Sequence, residues 1–429
     1  MAGNVSGRES LTKQKLADKG IHADQSDNAL ATLSNLNKEL AAKQLILKKL
    51  NNVNELHLST FSSFEDAESM WLTFEKRAAC FAYQQFSFCR TWYETVGKKD
   101  GVILHIVAVK NLRDETLMVL PLCIKKGHFG RIVSFIGDGM ADYLSPLVQS
   151  DFAQHLPKTD FDILWKQVLT SIKGNVDLVW LDKQPVKIAA SKNPLTELTH
   201  FYCTSSAHAL NFPEAENWSK CARLIRSSKT AGNIERRLRK LAKEGDVELV
   251  EITGTKERAK HMTQIQAMKI DNLNDAGTLH RIGTPAFTGF YQALVGDETM
   301  QEHLHQFELR CDSKLVASVL GFTHHDTFYY QICAFNRQEF AQHSPGLLLM
   351  YKLFDWSFSR GLKRFDMTIG DESYKSDWSN ETTQLVTVAV PYSTRGQLEY
   401  GLKRVLLWTK GKIRDSRLLS KLAMVVLGN

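Results

Sequence analysis

Long hydrophobic runs are missing. Nowhere in the 429 residues do about eighteen apolar side chains follow one another, so no segment reads as a membrane-spanning helix. The opening stretch MAGNVSGRESLTKQKLADKG has no apolar centre and is not a secretory signal, so a cytoplasmic protein is expected. The seven cysteines are scattered, odd in number and without CxxC spacing, which argues for a reducing compartment and against a zinc site. No sign of charge dominates: the formal net charge is +7, with 24% charged and 43% hydrophobic residues, an ordinary globular balance. DNA is not expected as a partner. The positive charge that exists collects at residues 220–243 and 403–421.

At this length two core domains are expected, and residues 314–375 organise one of them. Residues 315–322 (LVASVLGF) and 328–334 (FYYQICA) are β-rich runs around His324-His325-Asp326, a hairpin pattern. Ser344-Pro345-Gly346 then signals a helix start, with Ser344 as N-cap and Pro345 at the first helical position. The helix expected over 346–359 is apolar on nearly every side, so it is buried, and its start abuts the end of a sheet. Gly361 ends it, residues 363–369 (KRFDMTI) alternate as a strand, and Gly370 to Lys375 make a polar tip. A helix start beside a sheet edge offers unpaired amides and a positive dipole end, which suits a pyrophosphate.

This order of elements resembles the acyl-CoA half of a GNAT acyltransferase. More narrowly, Ser344-Pro345-Gly346, Asp355-Trp356, Gly361, Phe365-Asp366 and Gly370-Asp371-Glu372-x-Tyr374-Lys375 are similar to the CelD-like branch, the BioF-type acetyltransferase domain linked with bacterial polysaccharide synthesis. Pro121-Leu122, Gly137 and Asp142-Tyr143-Leu144-Ser145-Pro146-Leu147 match that branch in the first half. Arg236-Arg237-Leu238-Arg239-Lys240-Leu241 matches the basic helix that opens its acyltransferase lobe. The phosphate loop Q/R-x-x-G-x-G/A is absent; the turn holds only Gln342-His343-Ser344-Pro345-Gly346.

Elsewhere the chain reads as a polar extension (1–55, with a helical stripe at 29–50), a first lobe (56–210), a second lobe (215–400) and a basic helical tail (401–429). In the first lobe, a helix, Gly174, Asp177 in a strand and Asp182 at its end parallel a helix, Gly361, Asp366 and Asp371 in the second. The expected fold is therefore α/β, two tandem GNAT-like lobes of mixed sheets flanked by helices, as in FemAB-type transferases. The first lobe has no Ser-Pro-Gly helix start and is not expected to bind coenzyme A.

The resemblance implies acyl transfer, in the simplest case from acetyl-CoA, to a sugar, amino sugar or other polar acceptor of envelope polysaccharide. Such transfer needs positioning, a base, an oxyanion donor and an acid for the leaving thiolate. The backbone around Ser344, Gly346 and Leu347 is the expected pyrophosphate site. Asp366, Asp371 and Glu372 are candidate bases, and Tyr374 a candidate proton donor. Arg236, Arg237, Lys240, Lys375, Asp142 and Tyr143 are candidate contacts to the acceptor. No metal is expected, because three adjacent residues in a hairpin turn cannot all point at one ion, and Cys333 reads as a small buried hydrophobe. A second reading is a FemAB-like aminoacyl-tRNA-dependent transferase, in which the basic helix binds tRNA. No coiled-coil arm occurs between Lys229 and Lys314, which ranks coenzyme A first. A third reading is an inert scaffold in a polysaccharide-synthesis complex. The basic tail is a candidate for peripheral contact with anionic membrane.

Overall fold

The computed structural model describes residues 55–226, 228–275 and 281–415. The polar extension, its helical stripe and residues 416–429 of the basic tail lie outside the described residues.

In the first half of the chain, β1 (His57–Phe61) leads to α1 (Phe64–Glu75), capped by the Ser63 hydroxyl on the Asp66 amide, and α2 (Phe86–Trp92). Then come β2 (Ile103–Lys110), β3 (Thr116–Lys126), β4 (Arg131–Phe135), the short β5 (Leu147–Val148), α3 (Ser150–His155), α4 (Lys158–Ser171) and β6 (Leu178–Pro185). A small hairpin, β7 (Lys187–Ile188) and β8 (Ser191–Lys192), precedes β9 (His200–Tyr202) and β10 (Ala207–Asn211).

The second half repeats the plan. Helices α5 (Trp218–Ile225) and α6 (Ser228–Leu241) are followed by β11 (Val247–Ile252), α7 (Thr255–Asp275) and α8 (Pro285–Gly296). Strands β12 (Leu304–Cys311), β13 (Lys314–His324) and β14 (Thr327–Phe335) form a meander. The short α9 (Arg337–Phe340), α10 (Pro345–Ser359), β15 (Arg364–Ile369), α11 (Ser373–Trp378), β16 (Glu381–Thr383), β17 (Leu385–Pro391) and α12 (Thr394–Asp415) complete the chain. The expected polar tip is thus partly helical, and the C-terminal helix starts at Thr394 rather than at residue 401.

Each half has antiparallel strands, then a helix and one parallel crossover: β4 pairs parallel with β6, and β14 with β15. The internal repeat is therefore real at the level of topology. The expected lobe boundaries meet a different arrangement. The first sheet runs β1-β2-β3-β4-β6-β17-β9 and the second β11-β12-β13-β14-β15-β10-β16. Strand β10, from the first half of the chain, sits between β15 and β16, and β17, from the second half, sits between β6 and β9. The run read as one strand at 382–390 is broken at Gln384 and serves both sheets. Alternation along a strand specifies which face is buried but not which sheet receives it, so this exchange leaves no mark in the pattern.

Helix α10 packs on the second sheet through Leu348, Leu349, Met350, Leu353 and Phe354, all buried. Trp218 of α5 and Trp378 of α11 close over it, with ring centroids 5.5 Å from Phe354 in each case. Each such large apolar side chain contributes about 1.5–3 kcal/mol on burial, which fixes the start of α10 against the end of β14. Between the sheets lies a second aromatic cluster: Tyr83 touches Phe88 and Tyr143 of its own half and Phe322 and Tyr329 of the other, at centroid distances of 5.5 to 6.2 Å. Phe290 of α8 stacks edge-on against Phe88 at 5.1 Å.

Candidate active site

Strands β14 and β15 pair for only three residues, from Thr327 opposite Arg364 to Tyr329 opposite Asp366, and then part although both continue. Two local features force them apart. In β14 the register against β13 shifts between Leu320 and Gly321, leaving Gln331 as an extra, bulged residue. In β15, Thr368 has a φ of +59°, a left-handed conformation that a β-branched residue adopts only under strain. Its amide bonds back to Asp366 Oδ1 at 2.8 Å and its hydroxyl to the Tyr330 carbonyl at 3.4 Å.

The opening is a cavity of about 280 Å³ between the two halves. Tyr330, Gln331 and Cys333 form one wall; Thr368, Ile369, Glu372, Tyr374 and Lys375 form another. Asp142 and Lys183 reach it from the first half, and Lys269 and Tyr291 from α7 and α8. Beyond Tyr329 no strand among the described residues covers the edge of β14 that faces β15. Side chains take part of it, Thr368 bonding the Tyr330 carbonyl and Asn272 both the amide and the carbonyl of Phe335, and the stretch between them is left for a carbonyl or an extended ligand. The Gln331 side chain is held by the Tyr83 hydroxyl and by Tyr291 Oη at 3.2 Å.

Helix α10 begins at the far end of this opening: a side chain at Gly346 would lie 3.3 Å from the Phe335 ring and 3.9 Å from Cys333 Sγ. A larger side chain at this position would press on the Phe335 ring. Ser344 is left-handed (φ 58°) and its hydroxyl does not cap the helix; it accepts from Arg237 Nη1 at 2.8 Å. Arg237, expected from sequence to contact the acceptor, therefore lies at the N-terminal end of α10. Leu347 does not fill the role expected of it, because its amide is bonded to the Ser344 carbonyl at 3.0 Å. Pro345 has no amide, so Gly346 and the Arg237 guanidinium are the donors this turn offers.

The candidate acids and bases separate cleanly. Tyr374 lines the cavity, and its hydroxyl makes no hydrogen bond among the described residues. Burial, reinforced by the Glu372 carboxylate and the Cys333 thiol, pushes its phenol well above the ordinary value, so it holds its proton at neutral pH. Glu372 lines the same wall, exposed, with Oε2 3.2 Å from Lys375 Nζ. Lys375 is buried and donates to the Ile369 carbonyl at 2.6 Å, so it braces the loop instead of reaching an acceptor. Asp371 turns away: its Oδ1 accepts from the Ser206 amide at 3.1 Å beside β10, and it does not line the cavity.

Asp366 is 1% exposed and fully engaged, accepting from Tyr143 Oη at 2.7 Å and from the Thr368 amide, with Arg364 Nη2 at 3.5 Å from Oδ2. Burial raises its pKa, while Arg364 and Tyr143 oppose the rise. Asp366 and Tyr143 are thus a bond between the halves rather than base and acceptor contact. Asp142, beside Tyr143, does line the cavity, with Oδ1 3.8 Å from Lys183 Nζ. Arg236 and Lys240 lie on the exposed face of α6, Arg236 donating to Asn233 at 3.0 Å, and do not line the cavity. Sequence reasoning missed Gln331, Lys269, Tyr291 and Lys183. A bulge and a contact between distant elements leave no local signature, and a β-rich run such as FYYQICA gives no sign of where its pairing stops.

Residues 228–376 match the family model described as an acetyltransferase (GNAT) domain. No curated protein sequence matches at a significant level. Among solved structures, FemX is similar over 80% of this chain and 99% of its own, with a TM-score of 0.54 and 11% identity. A conserved protein of unknown function from Bacteroides thetaiotaomicron VPI-5482 (78% and 100% covered, 10% identity) has a TM-score of 0.49. The C-terminal domain of a putative lysylphosphatidylglycerol synthetase from Agrobacterium fabrum (82% and 97% covered, 10% identity) has 0.47. Residues 228–376 are therefore similar to a GNAT acetyltransferase domain, and the chain as a whole shares the fold of FemX.

Proposed function

We propose that this two-lobe GNAT-type acyltransferase takes its acyl group, acetyl in the simplest case, from a coenzyme A thioester and passes it to a hydroxyl or amine of a sugar-like acceptor in envelope polysaccharide synthesis. The observation that carries the reading is the parting of β14 and β15 directly in front of the α10 N-terminus, where Arg237 stands on Ser344. Coenzyme A, when bound, supplies an activated thioester carbonyl. Gly346 and Arg237 hold its pyrophosphate, and the uncovered edge of β14 receives the extended arm and polarises the carbonyl. Glu372 accepts the proton of the attacking group, directly or through one water, and Tyr374 gives its proton to the departing sulfur. Asp142 and Lys183 on the opposite wall offer an acceptor and a donor to the hydroxyls of a sugar ring. The link to polysaccharide rests on the sequence resemblance to the CelD-like branch.

Calorimetric titration with acetyl-CoA and longer thioesters tests the donor site. Arg237→Gln and Gly346→Asp should each weaken binding tenfold or more, about 1.4 kcal/mol, and unchanged affinity in both folded variants removes the site from the argument. In the same preparation Tyr374→Phe keeps the ring, so a turnover loss of roughly 10²-fold at unchanged donor affinity supports proton donation. Full turnover in this variant ends that assignment.

The exposed cations of α6, Arg236, Arg239 and Lys240, with Lys243 in the turn that follows it, favour a second reading, an aminoacyl-tRNA donor. Salt-dependent tRNA binding, lost when Arg236 and Lys240 are neutralised, combined with no thioester binding, would select it.

A further inference from the structure

We infer that Cys80, His324 and His325 form a binding site for a divalent cation of the zinc class, joining the two halves of the molecule at the tip of the β13–β14 hairpin. The ligand atoms these residues offer lie within 4.8 Å of one another, the one such group of histidine, cysteine and carboxylate side chains found among the described residues. The set is drawn from both halves: Cys80 follows α1, while the two histidines end β13 and begin its turn.

Adjacent residues of a regular hairpin point to opposite faces, which is the sequence-based argument against an ion here. His325 escapes it by adopting a left-handed φ of 49°, which folds its ring back until the two imidazole centroids are 4.1 Å apart. The arrangement around each donor also suits a metal. His325 Nε2 is 3.2 Å from the Ala78 carbonyl, so its proton sits there and Nδ1 keeps its lone pair, the way a second hydrogen bond fixes the tautomer of a ligating histidine. Cys80 Sγ and His324 Nε2 face each other at 3.1 Å. With Zn–S about 2.3 Å and Zn–N about 2.1 Å, a tetrahedral ion needs these atoms about 3.6 Å apart, a shift of about half an ångström.

Cys80 is held ready by its neighbours. Ala79 exchanges two backbone bonds with Val148, at 2.8 and 3.0 Å, and the Phe81 amide donates to Gln84 Oε1 at 3.2 Å. His324 is buried, and its Nε2 is turned to the Cys80 sulfur. Binding exchanges the Cys80 thiol proton for the metal ion and releases it to solvent. His325 is exposed and gives the ion a route in. The remaining coordination position falls to water. The plain alternative is a neutral S–H donating to His324.

Cobalt(II) titrated into the full chain, with its thiols reduced, separates the two. A metal site gives a thiolate-to-cobalt charge-transfer band saturating at one equivalent, and zinc should displace it and raise the thermal midpoint. Cys80→Ser should abolish the band, and His325→Gln, at an exposed position, should weaken cobalt binding tenfold or more. Acyl-CoA binding checks that both variants are folded. No band and no zinc-dependent shift in the wild-type chain overturns the proposal. A band that survives in Cys80→Ser, or affinity unchanged in His325→Gln, assigns the metal to other groups and overturns it equally.

Discussion

Single side chains set the pH response of this molecule, and Glu75 is the clearest case. Its Oε2 accepts the Phe86 amide at 2.8 Å, yet burial outweighs that bond and the charge of Lys76 and raises its pKa from 4.5 to about 7. A carboxyl whose folded value is raised favours the folded state fully below its unfolded value, near pH 4.5, and loses that contribution as pH rises through 7. At about 1.4 kcal/mol per unit the loss is on the order of 3 kcal/mol. Glu75→Gln still accepts the Phe86 amide and cannot ionise. Urea midpoints of variant and wild type should therefore nearly coincide at pH 4 and separate by pH 8, with the variant more stable. A constant difference across that range would show that Glu75 ionises normally. The same balance between burial and partners sorted the carboxylates of the site. Asp366, Asp371 and Glu372 are indistinguishable in sequence, one alternating residue and two at a polar tip. Only the packing that seals Asp366 under Tyr143 and turns Asp371 to Ser206 leaves Glu372 in the cleft.

At the scale of elements, helix α12 shows how a segment that reads simply as amphipathic acquires a fixed seat. Its start is anchored on the residue before β6: the Tyr392 amide donates to the Asp177 carbonyl at 2.8 Å, and Ser393 Oγ to Asp177 Oδ1 at 2.5 Å. Glu399 accepts the Phe129 amide at 2.9 Å, and Arg404 lies 4.1 Å over the Phe201 ring. A Cβ at Gly396 would stand 1.8 Å from the Asp177 carbonyl oxygen, which is backbone and cannot rotate away. Gly396→Ala should therefore lift the helix start and cost roughly 1–3 kcal/mol. Gly401, in the same helix, has nothing within 4 Å, so Gly401→Ala should stabilise by up to about 1 kcal/mol. Thermal midpoints moving in opposite directions bear this out; two shifts of the same sign would mean that propensity alone governs the helix. Elements of this kind were legible wherever a local rule acts. Thr284 caps α8 ahead of Pro285, Pro345 stands in the first turn of α10 although the Ser344 hydroxyl goes to Arg237 instead of the helix, and the apolar composition of α10 declared its burial. What stayed hidden is set by distant contacts: the bulge at Gln331, the strained Thr368, and the division of 381–391 between two sheets.

The whole molecule inherits its cohesion from that division. Strand β10 cannot stay with the sheet of its own half, because it pairs with β15 at Ala209 opposite Asp366 and with β16 at Ala207 opposite Thr383. Strand β17 leaves in the other direction, pairing with β6 from Leu385 opposite Pro185 to Pro391 opposite Leu178. Each sheet thus lacks an interior strand until the other half of the chain supplies it, and its exposed edges would otherwise present unpaired amides and carbonyls. The Tyr143–Asp366 bond and the aromatic cluster around Tyr83 bury further groups that neither half satisfies alone. Two domains joined by a linker would unfold in two steps; an exchanged pair should unfold in one. Urea transitions followed by far-ultraviolet circular dichroism and by tryptophan fluorescence should coincide, since buried tryptophans lie in both halves: Trp71 and Trp92 in the first, Trp218 and Trp378 in the second. Residues 55–213 and 214–415, expressed separately, should each fail to give a cooperative transition, and expressed together they should recover one. Distinct midpoints for the two signals, or a cooperative transition from residues 214–415 alone, would show that the exchange decorates two independent folds instead of making one.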